Sequence, residues 1–182
     1  MDKPDLAVAR WVADHRSDPV THACRLLEDL AGSPPFFAAV LLVGLVAVGR
    51  HRAWSALPGV VVALLVTIVA TAPLKDLVDR PRPPAELALT SIDGSAMPSS
   101  HAIYTSAAVV SVVMASWWTS QRARRAVALV GVAGCLVVAA AMVYLGGHWV
   151  SDVLVGWLLG AGISGAVMLG WQRARSGRRA AV

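Results

Sequence analysis

The chain has 182 residues, of which 57% are hydrophobic and 15% charged, with a formal net charge of +5 and a mean hydropathy of +0.63. Soluble domains carry about a quarter charged residues, so this composition points away from a water-soluble fold and towards an all-α integral membrane protein with one membrane domain. The arginines flank apolar runs, where topology signals sit, which argues against nucleic acid as the partner.

Residues 4–31 interleave Leu6, Trp11, Val12, Leu26, Leu27 and Leu30 with Asp14, Arg16, Arg25, Glu28 and Asp29. That mixture predicts one or two helices lying at the membrane interface, with a sixth crossing as the alternative. Asp2, Asp5 and Asp14 interrupt any early apolar core, so this is not the pattern of a signal peptide. Five apolar runs follow, at Ser33–Gly49, Ala53–Leu74, Ala102–Trp118, Ala126–Gly147 and Val153–Trp171. They predict a bundle of five transmembrane spans, the first and third short for a full crossing. Three regions result: a 1–32 interfacial segment, a 33–171 membrane domain and a 172–182 basic tail. Cys24 lies near the N-terminus and Cys135 in mid-span, so no disulfide framework is expected. No cysteine–histidine cluster suggests zinc.

Five alternating spans put Arg50, Arg52, Arg122, Arg124, Arg125, Arg173, Arg175, Arg178 and Arg179 on one side, with no acid among them. All 11 Asp and Glu residues fall in the N-terminal segment, in 76–93 or at Asp152, on the other side. The positive-inside rule makes the arginine side and the C-terminus cytoplasmic, and the N-terminus extracytoplasmic. Trp117, Trp118, Trp149, Trp157 and Trp171 lie at or near span ends, where most are expected to be interfacial anchors.

Residues 75–100 form the longest polar connection, and Pro81, Pro83 and Pro84 prevent regular helix there. Three polar clusters adjoin outward span ends: "KDLVDRPRP" at 75–83, "MPSSH" at 97–101 and "GGHWVSD" at 146–152. Lys75, Arg80 and Arg82 are cationic donors, and an arginine fork suits phosphate oxygens. Pro98 and Ser99 precede an apolar run and so open a helix, whose free N–H groups and dipole favour an anion. His148 and Asp152 share a helix face at i and i+4. Asp152 accepting from one imidazole nitrogen would leave the other free to attack. Each feature also has a plainer reading: lipid-headgroup contacts for the cations, a helix cap for Ser99, an interfacial polar residue for His101, and an N-terminal helix charge for Asp152.

Together the clusters resemble the motifs of the type 2 phosphatidic acid phosphatase family. Lys75, Arg82 and Pro83 match Lys, six residues, Arg-Pro. "PSSH" at 98–101 matches three positions of Pro-Ser-Gly-His. His148 and Asp152 match the end of the third motif, but Ala141 and Met142 stand where the family has Ser-Arg. The resemblance implies a helical bundle acting as a metal-independent lipid phosphate phosphatase without a cofactor. His148 would be the nucleophile forming a phosphohistidine, Asp152 would orient it, and His101 would be the general acid. Lys75, Arg82, Ser99 and backbone N–H groups near Ser100 would hold the phosphoryl oxygens. The family arginine replaced by Met142 contacts phosphate, and Arg80 is a candidate substitute. The expected partners are membrane lipids and a substrate of the phosphatidate, phosphatidylglycerol phosphate or polyprenyl (di)phosphate type, at the extracytoplasmic face of the cell membrane. The alternatives are a weak lipid-phosphate-binding protein and a phosphotransferase using the same histidine.

Overall fold

The computed structural model describes residues 3–32, 54–115 and 118–180. Its helices are α1 (Lys3–Asp14), α2 (Asp18–Gly32), α3 (Leu57–Val78), α4 (Ser100–Met114), α5 (Gln121–Tyr144) and α6 (Val150–Ala180), with a 3-10 turn at Ala85–Leu87 and no strand among the described residues. Three of these, α3, α5 and α6 over Val150–Gly177, are long and apolar enough to cross a membrane. The 15 residues of α4 extend only about 22 Å at 1.5 Å per residue, against about 30 Å of hydrocarbon. The first expected span, 33–49, lies outside the described residues. So do Arg50, Arg52 and Trp117. No helix end falls at Trp171, because α6 runs on through the basic segment to Ala180.

Local chemistry sets these boundaries. Pro58 opens α3 in the first turn, where its missing N–H costs no intrahelical bond. Asp79 closes that helix in a left-handed conformation, its N–H donating to the Lys75 carbonyl. Ser99 and Ser120 cap the N-termini of α4 and α5 by accepting from the N–H groups of Ala102 and Ala123. The end of α5 explains the paired glycines before His148. Gly146 N–H donates to Val143 O at 3.1 Å and Gly147 N–H to Met142 O at 3.0 Å, the double bond pattern of a Schellman stop. Gly146 has φ +76°, and a Cβ there would run into the Leu87 carbonyl, so both backbone and space demand glycine.

The tightest helix pair is α4 with α6. A Cβ on Gly160 would collide with the Ile103 carbonyl and the Ser106 hydroxyl, so glycine lets the two backbones approach. Deeper along the same seam, the buried hydroxyls of Ser111 and Ser164 lie 2.6 Å apart, and Ser164 also bonds the Ala107 carbonyl. Large apolar side chains such as Leu65, Val69, Leu129, Val130 and Leu158 point outwards, as lipid-facing surfaces require.

The two N-terminal helices dock at the end of the bundle where α3 and α5 finish and α4 and α6 start. At their elbow, Arg16 donates to the carbonyls of Tyr144 and Leu87, while the Tyr144 hydroxyl exchanges bonds with the Ser17 backbone. Cys24 packs with Ala141, Met142 and Leu145, and both Cys24 and Cys135 are free thiols. Trp11, Leu26 and Leu30 remain exposed, which suits helices resting on a membrane surface.

Candidate active site

Antiparallel succession of α3, α4, α5 and α6 brings the three polar clusters to one end of the bundle. There a cleft of about 350 Å³ is lined by Lys75, Arg82, Ser95, Ser100, His101 and His148, among others. Lys75 reaches it from the last turn of α3, Ser100 and His101 from the first turn of α4, and His148 from the turn after the α5 stop.

His148 is 3% exposed. Its Nδ1 lies 2.9 Å from the Ala96 carbonyl oxygen. A carbonyl can only accept, so Nδ1 carries a proton, and in the neutral ring Nε2 is the nitrogen that keeps the lone pair. That Nε2 lies 3.5 Å from Arg82 Nη1. Asp152 stands behind the ring, with Oδ2 at 3.6 Å from His148 Nδ1. The hydrogen bond expected between them therefore goes to Ala96 instead, and the carboxylate contributes from van der Waals distance. Oδ2 accepts from the Trp149 N–H at 2.9 Å and Oδ1 from Arg80 Nη1 at 2.6 Å.

The loop 93–95 wraps the two cleft cations. Lys75 Nζ donates to the Ser95 carbonyl at 2.7 Å. Arg82 donates to the carbonyls of Asp93, Gly94 and Ser95, and at 2.6 Å to that of Gly147. Burial lowers the Arg82 pKa, opposed by Asp152 and Asp93. His101 lies just before the apolar stretch of α4 begins. Burial pushes its pKa below the usual histidine value and the adjacent His148 adds to this; Glu28 opposes, and Lys75 and Arg82 act with burial. By helix geometry the N–H groups of Ser100 and His101 have no intrahelical acceptor, so they are available to an anion. Among the described residues no group of three or more His, Cys, Asp or Glu side chains is arranged to hold a metal ion.

Other residues picked from sequence sit elsewhere. Ser99 is fully buried and does not line the cleft; its hydroxyl caps Ala102 N–H and its own N–H donates to the Asp152 carbonyl. Arg80 turns away from the cleft towards Asp152, Ser151 and Asp5, because two carboxylates on that side outcompete an open cleft. Met142 is buried in the apolar cluster with Cys24 and Leu145. Trp149 is not an interfacial anchor: it is 2% exposed, donates to the Pro81 carbonyl, and lies under the Arg80 guanidinium.

Two residues of the N-terminal helices support the site and were not singled out from sequence. Glu28 accepts from the Thr90 hydroxyl at 2.8 Å, bracing the connection beside the cleft. Asp5 is buried against α6, accepting from Arg80 and from the Ser151 backbone. The available signal was an acid one turn from Ala9 and two from Val12, on the face α1 presents inward.

The family model of the PAP2 superfamily matches residues 56–176. No curated protein sequence matches the chain. Among solved structures, the first transmembrane PAP2 type phosphatidylglycerolphosphate phosphatase from Bacillus subtilis superposes with a TM-score of 0.76 at 20% identity, covering 94% of this chain and 85% of that one. LpxE from Aquifex aeolicus superposes with a TM-score of 0.67 at 20% identity, covering 91% of this chain and 94% of its own. Likeness at that identity concerns the fold.

Proposed function

Because this chain belongs to the PAP2 superfamily, we propose that it is a membrane phosphatase that removes phosphate from a lipid phosphate or diphosphate through a phosphohistidine on His148. The observation that carries this reading is the Nδ1 bond of His148 to the Ala96 carbonyl, which puts the lone pair of the neutral ring on Nε2, beside Arg82 in a cleft shared with Lys75 and His101.

In the first half-reaction Nε2 attacks phosphorus in line with the leaving oxygen. The N–P bond forms as the P–O bond breaks, and the His101 imidazolium gives its proton to the departing oxygen. Lys75, Arg82 and the N–H groups of Ser100 and His101 hold the remaining phosphoryl oxygens, fixed in advance where negative charge is retained. Asp152 favours the positive charge that develops on the His148 ring. In the second half-reaction neutral His101 takes a proton from water as it attacks phosphorus, releasing inorganic phosphate and restoring both histidines. No step requires a metal. The apolar outer surface supports a lipid substrate, whose tail would stay in the bilayer while the phosphate enters the polar end. The separation of arginines from acids supports an extracytoplasmic position for that end.

The test is phosphate release by purified protein from a panel of phosphatidate, phosphatidylglycerol phosphate and polyprenyl phosphate and diphosphate, with and without chelator. Turnover on at least one, retained in chelator and abolished by His148→Ala, is expected. Binding without turnover would favour a lipid-phosphate-binding protein, the reading that the apolar burial of Met142 keeps open. Turnover lost in chelator would overturn the metal-free mechanism.

A further inference from the structure

Behind His148, on the side away from the cleft, a chain of charges runs into the N-terminal helix. Asp152 is 0% exposed and accepts from Arg80 Nη1 at 2.6 Å. The other terminal nitrogen of Arg80 donates to Asp5 Oδ2 at 2.8 Å, with the Asp5 side chain 8% exposed. Asp5 also accepts from the Ser151 hydroxyl, and from the Ser151 N–H at 3.2 Å. That N–H belongs to the first turn of α6 and has no acceptor within its own helix, so a carboxylate 146 positions earlier in the chain caps it. One carboxylate of α1 thus grips both the start of α6 and the arginine that fixes Asp152.

We infer that Asp5 is a positioning residue for His148, acting through Arg80 and Asp152, so that docking of α1 completes the active site. Without Asp5, Arg80 loses the carboxylate that holds its Nη2 end. Asp152 then loses its rigid donor, while its other oxygen still holds the Trp149 N–H next to the His148 backbone. A small rotation there swings the imidazole relative to the phosphate. Hydrogen bonds from Ser151 and Arg80, with the charge of Arg80, outweigh burial and hold the Asp5 carboxyl below its usual pKa, so α1 presents an anion at neutral pH.

The kinetic reading rests on the proposed reaction, so the test pairs it with one that does not. Full-length Asp5→Asn, in detergent micelles, is assayed with the best lipid phosphate of the panel, and its histidine side chains are observed by nitrogen-15 NMR. Misplacement of a reacting group costs roughly 10- to 100-fold, so kcat should fall by about that factor with KM within about two-fold. The His148 ring signals should shift from the Nδ1–H pattern while those of His101 change little. In an Arg80→Gln background, Asp5→Asn should cost nothing further in kcat. A folded Asp5→Asn protein with wild-type kcat and wild-type His148 signals would overturn the inference. If Asp5→Asn does not fold, Arg80→Gln, which cuts the link between Asp5 and Asp152, is read the same way: shifted His148 signals and lower kcat support it, and wild-type values overturn it. Should the wild-type protein release no phosphate, the proposed function fails, and the His148 signals alone decide the role of Asp5.

Discussion

At the residue scale, the proposed reaction asks opposite things of two histidines in one cleft. His148 must offer a lone pair and His101 must carry a proton. The Ala96 carbonyl meets the first demand by binding Nδ1. The second runs against the local field, since burial, then His148, and more weakly Lys75 and Arg82, favour neutral His101, with only Glu28 opposing. A phosphate dianion between those cations reverses part of that field. The sign follows: the acid form is needed, so kcat/KM, which reports the free enzyme, falls as pH rises through a His101 pKa lying below about 6.5. The corresponding limb of kcat, which reports the bound state, should lie at higher pH. Paired pH profiles check this. A kcat/KM limb attributable to His101 at or above the kcat limb would contradict it, and His101→Asn should remove the limb from whatever activity remains.

At the scale of elements, the site depends on how closely α6 lies on α4, because His101 is in the first turn of α4 and His148 is in the turn that leads into α6. Gly160 sets that approach, and Ser111 with Ser164 bridges it deeper in the bundle. Gly160→Val should force the helices apart and destabilise the protein by about 1–3 kcal/mol, lowering the thermal unfolding midpoint in detergent. Gly162→Ala makes a good control, because a Cβ there meets nothing within 4 Å; its midpoint should match or exceed wild type. Equal midpoints for the two variants would show that the α4–α6 seam is not set by Gly160. The N-terminal helices are the other decisive elements: through Arg16, Glu28 and Asp5 they reach the α5 end, the 85–93 connection and the start of α6. They therefore brace the elements that carry the candidate site.

At the scale of the whole molecule, what could be read from sequence was what local spacing encodes. Lys75, Arg82, Ser100, His101 and His148 stand at fixed intervals beside apolar runs, and alternation of helices was enough to bring them to one end. Ser99 could not be assigned by spacing, since a cap and a phosphate ligand look alike in sequence; in the structure it is buried and its hydroxyl accepts from the Ala102 N–H. The direction of Arg80 was equally hidden, because its partners Asp5 and Asp152 lie 75 and 72 positions away and no local pattern links them. The Ala96 carbonyl is a backbone group and leaves no mark in side-chain chemistry. Everything rests on Nε2 of His148 being the atom that accepts the phosphoryl group. The most direct measurement is acid-free rapid quench of the enzyme with phosphorus-labelled lipid phosphate, followed by mapping of the labelled peptide. The account predicts an acid-labile, base-stable label on His148 that is absent from His148→Ala. Steady turnover with no label on His148, or with label on another residue, would contradict it.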